Sequence, residues 1–166
     1  MTTIHLRYPG GPDGRHLPAR DGDEAGGNER GLFNATRLGS MAREAGLSFP
    51  ESVLGAVIAA LRSQKHVVFI GPPATGKSTL AKLVAELGRQ AMMCSGHLSA
   101  TATSNWTVRD TVGTAYESAE GQSFRPGVVL EAITSGRWLI IDELNRADLD
   151  RALGELFSVL SGQEVV

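Results

Sequence analysis

Residues 71–78 read Gly-Pro-Pro-Ala-Thr-Gly-Lys-Ser, and no other stretch limits what this chain can fold into so tightly. They fill every fixed position of G-x-x-x-x-G-K-[ST], a loop that has meaning only between a strand and the start of a helix. Both flanks comply. His66–Ile70 is a short β-branched run that predicts a buried strand. Lys77–Gly88 sets Leu80, Leu83, Val84 and Leu87 on one helical face, with Gly88 near its end. In such a loop the glycines let successive backbone N–H groups converge on one point, where the positive end of the helix adds to them. The expected phosphate site is therefore Gly71, Pro72, Pro73, Ala74, Thr75, Gly76, Lys77 and Ser78. Lys77 brings a point charge to the β- and γ-phosphates, the Ser78 hydroxyl is a ligand for Mg²⁺, and Thr79 is a neighbour of the α-phosphate.

Further along, Trp138–Ile141 is a continuous apolar strand that ends in Asp142-Glu143. A parallel sheet delivers the last residues of such a strand to its carboxyl edge, where the phosphate loop also lies. Asp142 is then placed to hold Mg²⁺ through its water shell, and Glu143 to orient and deprotonate an attacking water. An apolar run ending in two acids is weak evidence alone. Joined to a complete phosphate loop, it points to hydrolysis of a nucleoside triphosphate.

The remaining pattern predicts an α/β fold. After Pro50, Val53, Val57, Ala60 and Leu61 recur at helical spacing, and Gln90–Cys94 reads as a second strand. Residues 96–126 are polar and read mostly as loop, Val128–Thr134 as a short helix. Leu149, Ala152, Leu153, Leu156, Phe157 and Leu160 mark an amphipathic helix. Strands alternating with helices argue for a mainly parallel sheet covered on both faces.

Composition divides the chain near residue 46. Residues 1–46 hold 9 of the 20 glycines with six charges of each sign, so they predict a disordered arm with a short helix at Leu38–Ala45. Residues 47–166 carry the apolar content of a packed core. A net charge of -2 gives no reason to expect a general nucleic-acid binder. The single cysteine, Cys94, rules out an internal disulfide and points to a reducing cytoplasm. No apolar run approaches the ~18 residues of a membrane span, so no membrane role is expected.

Phe124-Arg125-Pro126-Gly127, Leu130-Glu131-Ala132 and above all Asp142-Glu143-Leu144-Asn145-Arg146-Ala147-Asp148, together with the phosphate loop, resemble the AAA+ ATPases of the dynein-related, MoxR and McrB-like group. The resemblance covers roughly residues 47–166. It implies an αβα sandwich, ATP and Mg²⁺ as ligands, and a homo-oligomeric, hexameric ring with ATP between subunits. Hydrolysis in that ring would remodel a protein or nucleoprotein substrate, with a separately encoded effector subunit as a possible partner. It also implies a hairpin-like insertion within residues 111–126 facing a pore. Ala74 stands where many relatives have Gly, but at a free position of the loop. The resemblance further implies that a fourth strand, with its sensor residue, separates the strand before Gly71 from the strand ending at Asp142. That strand and the arginine finger would lie beyond residue 166, so the core is expected to be C-terminally incomplete and the 166-residue chain inactive by itself.

Two other functions compete. A phosphate-loop kinase acting on a small molecule needs an acceptor pocket and has no use for Glu143. A non-hydrolysing nucleotide-binding module would bind without turnover. Leu160-Ser161-Gly162-Gln163-Glu164 follows the acidic strand and reads as a helix end capped at Gly162. His5, His16, His66 and His97 lack a zinc spacing. Cys94 reads as a small buried apolar residue on its strand, and Trp106 and Trp138 as core or loop anchors. Asn145 and Arg146 are left open, Arg146 between meeting a neighbouring subunit or nucleotide and a plain solvated or intrahelix ion-pairing role.

Overall fold

The computed structural model describes residues 2–6, 31–119 and 121–154. A four-stranded sheet is made of β1 (Thr2–Leu6), β2 (Val67–Ile70), β3 (His97–Thr101) and β6 (Trp138–Asp142), in the order β2-β1-β6-β3. β3 and β6 are parallel, with Leu98 beside Leu139 and Thr101 beside Asp142. β1 runs antiparallel to both of its neighbours, so β2, β6 and β3 all point the same way. The resulting α/β sandwich is a phosphate-loop fold.

β6 explains why the sheet is covered twice. Its side chains alternate between faces, and all four apolar ones are buried. Trp138 and Ile140 enter a core with Phe69 and the helices α1 (Ala35–Glu44), α2 (Glu51–Arg62) and α3 (Lys77–Gln90). Phe33 meets the Trp138 ring edge-on, with centroids 5.9 Å apart. Leu139 and Ile141 face a smaller core with Leu98, Val129, Ala132, Leu144 and Leu153. This core is closed by α5 (Val128–Thr134) and α6 (Leu149–Leu153).

Local chemistry sets the helix ends. Asn34 caps α1 by accepting the Arg37 N–H at 2.8 Å, and Pro50 precedes α2. The three large helices stop by the same turn, in which Leu47 N–H donates to Ala42, Lys65 to Ala60 and Met93 to Gly88. Each turn needs a left-handed residue, supplied by Gly46, Gln64 and Met92.

Several expectations are corrected. Residues 1–46 are no uniform arm. Residues 2–6 form β1, and α1 buries Leu38 and Ala42 beside Phe33 in the first core; residues 7–30 lie outside the described residues. The short helix expected at Leu38–Ala45 is α1, which starts three residues earlier. The second strand is His97–Thr101, not Gln90–Cys94, because Gln90 completes α3 and Met92 turns the chain. Cys94 therefore sits in a bend, half-buried against the first core. α3 runs two residues past Gly88, to Gln90. Residues 96–126 are more ordered than the loop their composition suggests, with α4 (Val108–Thr111) followed by β4 (Gly113–Ser118) and β5 (Gly121–Pro126), a two-stranded hairpin where the resemblance implies one. β2 is buried on one face only. Phe69 is packed while Ile70 is 84% exposed, since α5 and α6 cover β6 and β3. The helix expected to Leu160 is described to Leu153, and residues 155–166, with the Gly162 cap, lie outside the described residues.

Candidate nucleotide site

The loop Gly71–Gly76 leaves β2 at the carboxyl edge of the sheet and enters α3 at Lys77. Gly76 caps the helix at φ 80°, in the left-handed region, and has no side chain to offer the first turn. The earliest N–H groups of a helix have no intrahelical acceptor, so they are available to an anion at this point. Gly76 is constrained by its neighbours as well. A Cβ there would lie 3.0 Å from Leu47 Cδ2 and 3.3 Å from Phe49 Cζ, so the α1–α2 connection is packed directly on the loop. Ala74 also holds a left-handed conformation, at φ 61°. The free position of the motif is therefore a strained one for alanine.

Lys77 is buried to 7% exposure, yet its ammonium keeps oxygen partners. Nζ donates to Gly71 O at 3.0 Å, to Thr75 Oγ1 at 3.2 Å and to Pro72 O. Thr75 Oγ1 itself donates to Pro72 O at 3.0 Å. The charge is thus suspended over the loop by the loop's own oxygens. Pro72, Pro73, Ala74, Thr75 and Thr79 are exposed, and Gly71, Gly76 and Ser78 are half-buried.

Ser78 Oγ donates to Asp142 Oδ1 at 2.9 Å, across 64 positions of sequence. This bond joins the start of α3 to the end of β6, and so joins the two motifs. A hydroxyl and a carboxylate oxygen at this spacing are hard donors of the kind Mg²⁺ selects, so the residues fit that ion. Thr101 lies beside Asp142 in register, and the Ala102 N–H donates to Asp142 O at 2.8 Å.

Glu143 follows at φ 56°, ψ 31°, left-handed without being glycine. Its carbonyl accepts the Arg146 N–H at 2.8 Å, closing a 3-10 turn over Leu144–Arg146. Its Oε2 is 3.4 Å from Arg146 Nε. Asn145 is exposed. Leu47, Phe49 and Thr101 could not be read from the sequence, since tertiary packing creates each of their contacts. For Arg146, the i,i+3 spacing from Glu143 was the available signal.

Loop, sheet edge and paired Ser78–Asp142 define a phosphate-loop nucleotide-binding protein. The AAA domain (dynein-related subfamily) matches residues 66–166, and the chain belongs to that family. It is also 32% identical over 90 residues, or 54% of its length, to Midasin of Giardia intestinalis. The matched segment is 2% of that relative's length. Nucleotide binding is the property that the family and the loop have in common. Among the described residues, no helix is long and apolar enough to cross a membrane.

Proposed function

We propose that this chain binds ATP with Mg²⁺ and hydrolyses it as one subunit of a homo-oligomeric, hexameric ring. Its work there is to remodel a protein or nucleoprotein substrate, alone or with a separately encoded effector subunit, in the cytoplasm. The observation that carries this reading is the Ser78–Asp142 hydrogen bond, which ties the phosphate loop to the acidic strand end. Membership of the dynein-related AAA family supports the ring and the remodelling.

Each residue has a physical task in this reading. The N–H groups at the start of α3 and the Lys77 ammonium receive the β- and γ-phosphates. Ser78 and Asp142 would hold Mg²⁺, which when bound neutralises charge on the phosphates. Glu143 accepts a proton from water as the water oxygen bonds to the γ-phosphorus. The bond from that phosphorus to the bridging oxygen breaks, leaving ADP and inorganic phosphate. Leu47 and Phe49 fix Gly76 and so the curvature of the loop.

Titration calorimetry and phosphate release test the reading together. Lys77→Ala should abolish detectable ATP·Mg binding while the fold melts as the parent does. Glu143→Gln should bind ATP and stop turnover in the assembled ring, and Asp142→Asn should raise the Mg²⁺ concentration needed. Unchanged affinity in a folded Lys77→Ala protein removes the phosphate site. Parental turnover by Glu143→Gln removes the base. Running GTP beside ATP settles the base preference.

A further inference from the structure

We infer that Arg146 is the positioning residue for Glu143, an inference that rests on the hydrolytic reading above. A non-glycine residue stays in the left-handed region only where its surroundings hold it there. Glu143 is held at both ends by the same residue. The Arg146 N–H takes its carbonyl at 2.8 Å, and the guanidinium Nε stands 3.4 Å from its carboxylate Oε2. The turn between them is anchored by Leu144, buried in the second core.

Exposure separates the two partners' roles. The Glu143 side chain is 26% exposed and that of Arg146 is 66% exposed, so the guanidinium lies on the solvent side of a largely sheltered carboxylate. Oε2 is engaged, and among the described residues Oε1 makes no hydrogen bond, which leaves Oε1 to receive the proton from water. The neighbouring carboxylate, Asp142, has its Oδ1 bonded to Ser78. A glutamate side chain free in all its torsions spends much of its time away from the attacking geometry. One ion pair narrows that spread without touching nucleotide. The bias from an exposed pair is small, and a fall of about two- to fivefold in kcat is expected when it is removed.

Two measurements decide the matter. In the 166-residue chain, side-chain NMR should show the Arg146 Nε–H resonance shifting in Glu143→Gln while that of Arg151 does not. No shift at Arg146 overturns the pairing, whatever the activity. In the assembled protein, Arg146→Ala should lower kcat by the factor above, leave KM and ATP affinity unchanged, and be partly rescued by Arg146→Lys. Combined with Glu143→Asp, whose carboxylate is too short to reach Arg146, it should cause no further loss. An equal loss in both backgrounds with a lower melting temperature makes Arg146 a turn-stabilising residue and overturns the inference. A loss of ATP affinity or of assembly assigns Arg146 to the nucleotide or to a neighbouring copy, and overturns it too. If the parent itself binds ATP and releases no phosphate, the hydrolytic reading has failed and the inference falls with it. If the parent turns over and Arg146→Ala does so equally well, the inference alone has failed.

Discussion

Replacing Gly88 by alanine should destabilise this protein, although in most helix interiors the same change helps. Gly88 lies two residues from the end of α3, where alanine is favoured by about 1 kcal/mol on propensity alone. The structure opposes that gain. A Cβ at Gly88 would sit 2.7 Å from Trp138 Cη2, 2.9 Å from Cζ3 and 3.1 Å from Cζ2. The ring is 1% exposed and backed by Phe33, so it has nowhere to go. Overpacking of this kind costs roughly 1–3 kcal/mol, leaving a net loss of about 1 kcal/mol after the propensity gain. The site feels it as well. Gly88 is ten residues from Ser78, about 15 Å along a helix, and Trp138 is four from Asp142, about 13 Å along a strand. Helix and strand therefore run together, touching at Gly88–Trp138 and bonded at Ser78–Asp142, and wedging one end strains the other. Denaturant titration should place Gly88→Ala below the parent in midpoint with an unchanged slope, with weakened Mg²⁺-dependent ATP binding. Gly55→Ala is the control, because a Cβ there meets nothing within 4 Å and should raise stability by about 0.5–1 kcal/mol. A Gly88→Ala protein as stable as its parent would refute the reasoning.

Three further outcomes are expected. Ala74→Gly relieves a left-handed alanine and should stabilise the loop by about 0.5–1 kcal/mol after the added freedom of the unfolded chain, read as a higher melting temperature. The Arg89 guanidinium, and after it the Gln90 amide, hold the Glu86 carboxyl at about 2, below its usual 4.5. The folded state thus binds that proton more weakly, and the pair's contribution is whole above pH 4.5 and fades as pH falls towards 2. Both partners are substantially exposed, so solvent screening keeps the contribution small, and Arg89→Ala should flatten that part of the acid titration. Deleting residues 1–6 uncovers the facing edges of β2 and β6 and should lower the melting temperature and promote aggregation relative to the parent; unchanged melting would argue against the β1 pairing.

What the sequence disclosed depended on how local the physics was. The phosphate loop is a backbone geometry imposed by eight consecutive residues, and the strand Trp138–Asp142 is apolar because both faces are buried, so both could be read directly. The strand His97–Thr101 could not. Its outward residues are His97, Ser99 and Thr101 and its inward ones only half-buried, while the more hydrophobic Ala91-Met92-Met93-Cys94 goes into the end of α3 and its turn. The packing of Leu47 and Phe49 on Gly76 is likewise set by how α1 and α2 lie against the loop, which no spacing records.

The position of β1 shows why the two motifs need a strand between them. β2 and β6 point the same way and end in Gly71 and in Asp142-Glu143 at one edge of the sheet. As direct neighbours they would be one strand spacing apart, about 4.8 Å, leaving no room for a triphosphate between the loop and the acids. With Thr2–Leu6 inserted, their separation doubles to about 10 Å. The first turn of α3 then spans the gap, Lys77 hanging over the loop while Ser78 reaches Asp142. The separating strand that the resemblance implies would follow Asp142 in sequence, beyond residue 166. Among the described residues the place between β2 and β6 is taken instead by the antiparallel β1 from residues 2–6, which brings Thr2, opposite Ile70, to the edge of Gly71 and Asp142. That edge therefore owes its width to β1 and its donors to the first turn of α3 and the end of β6.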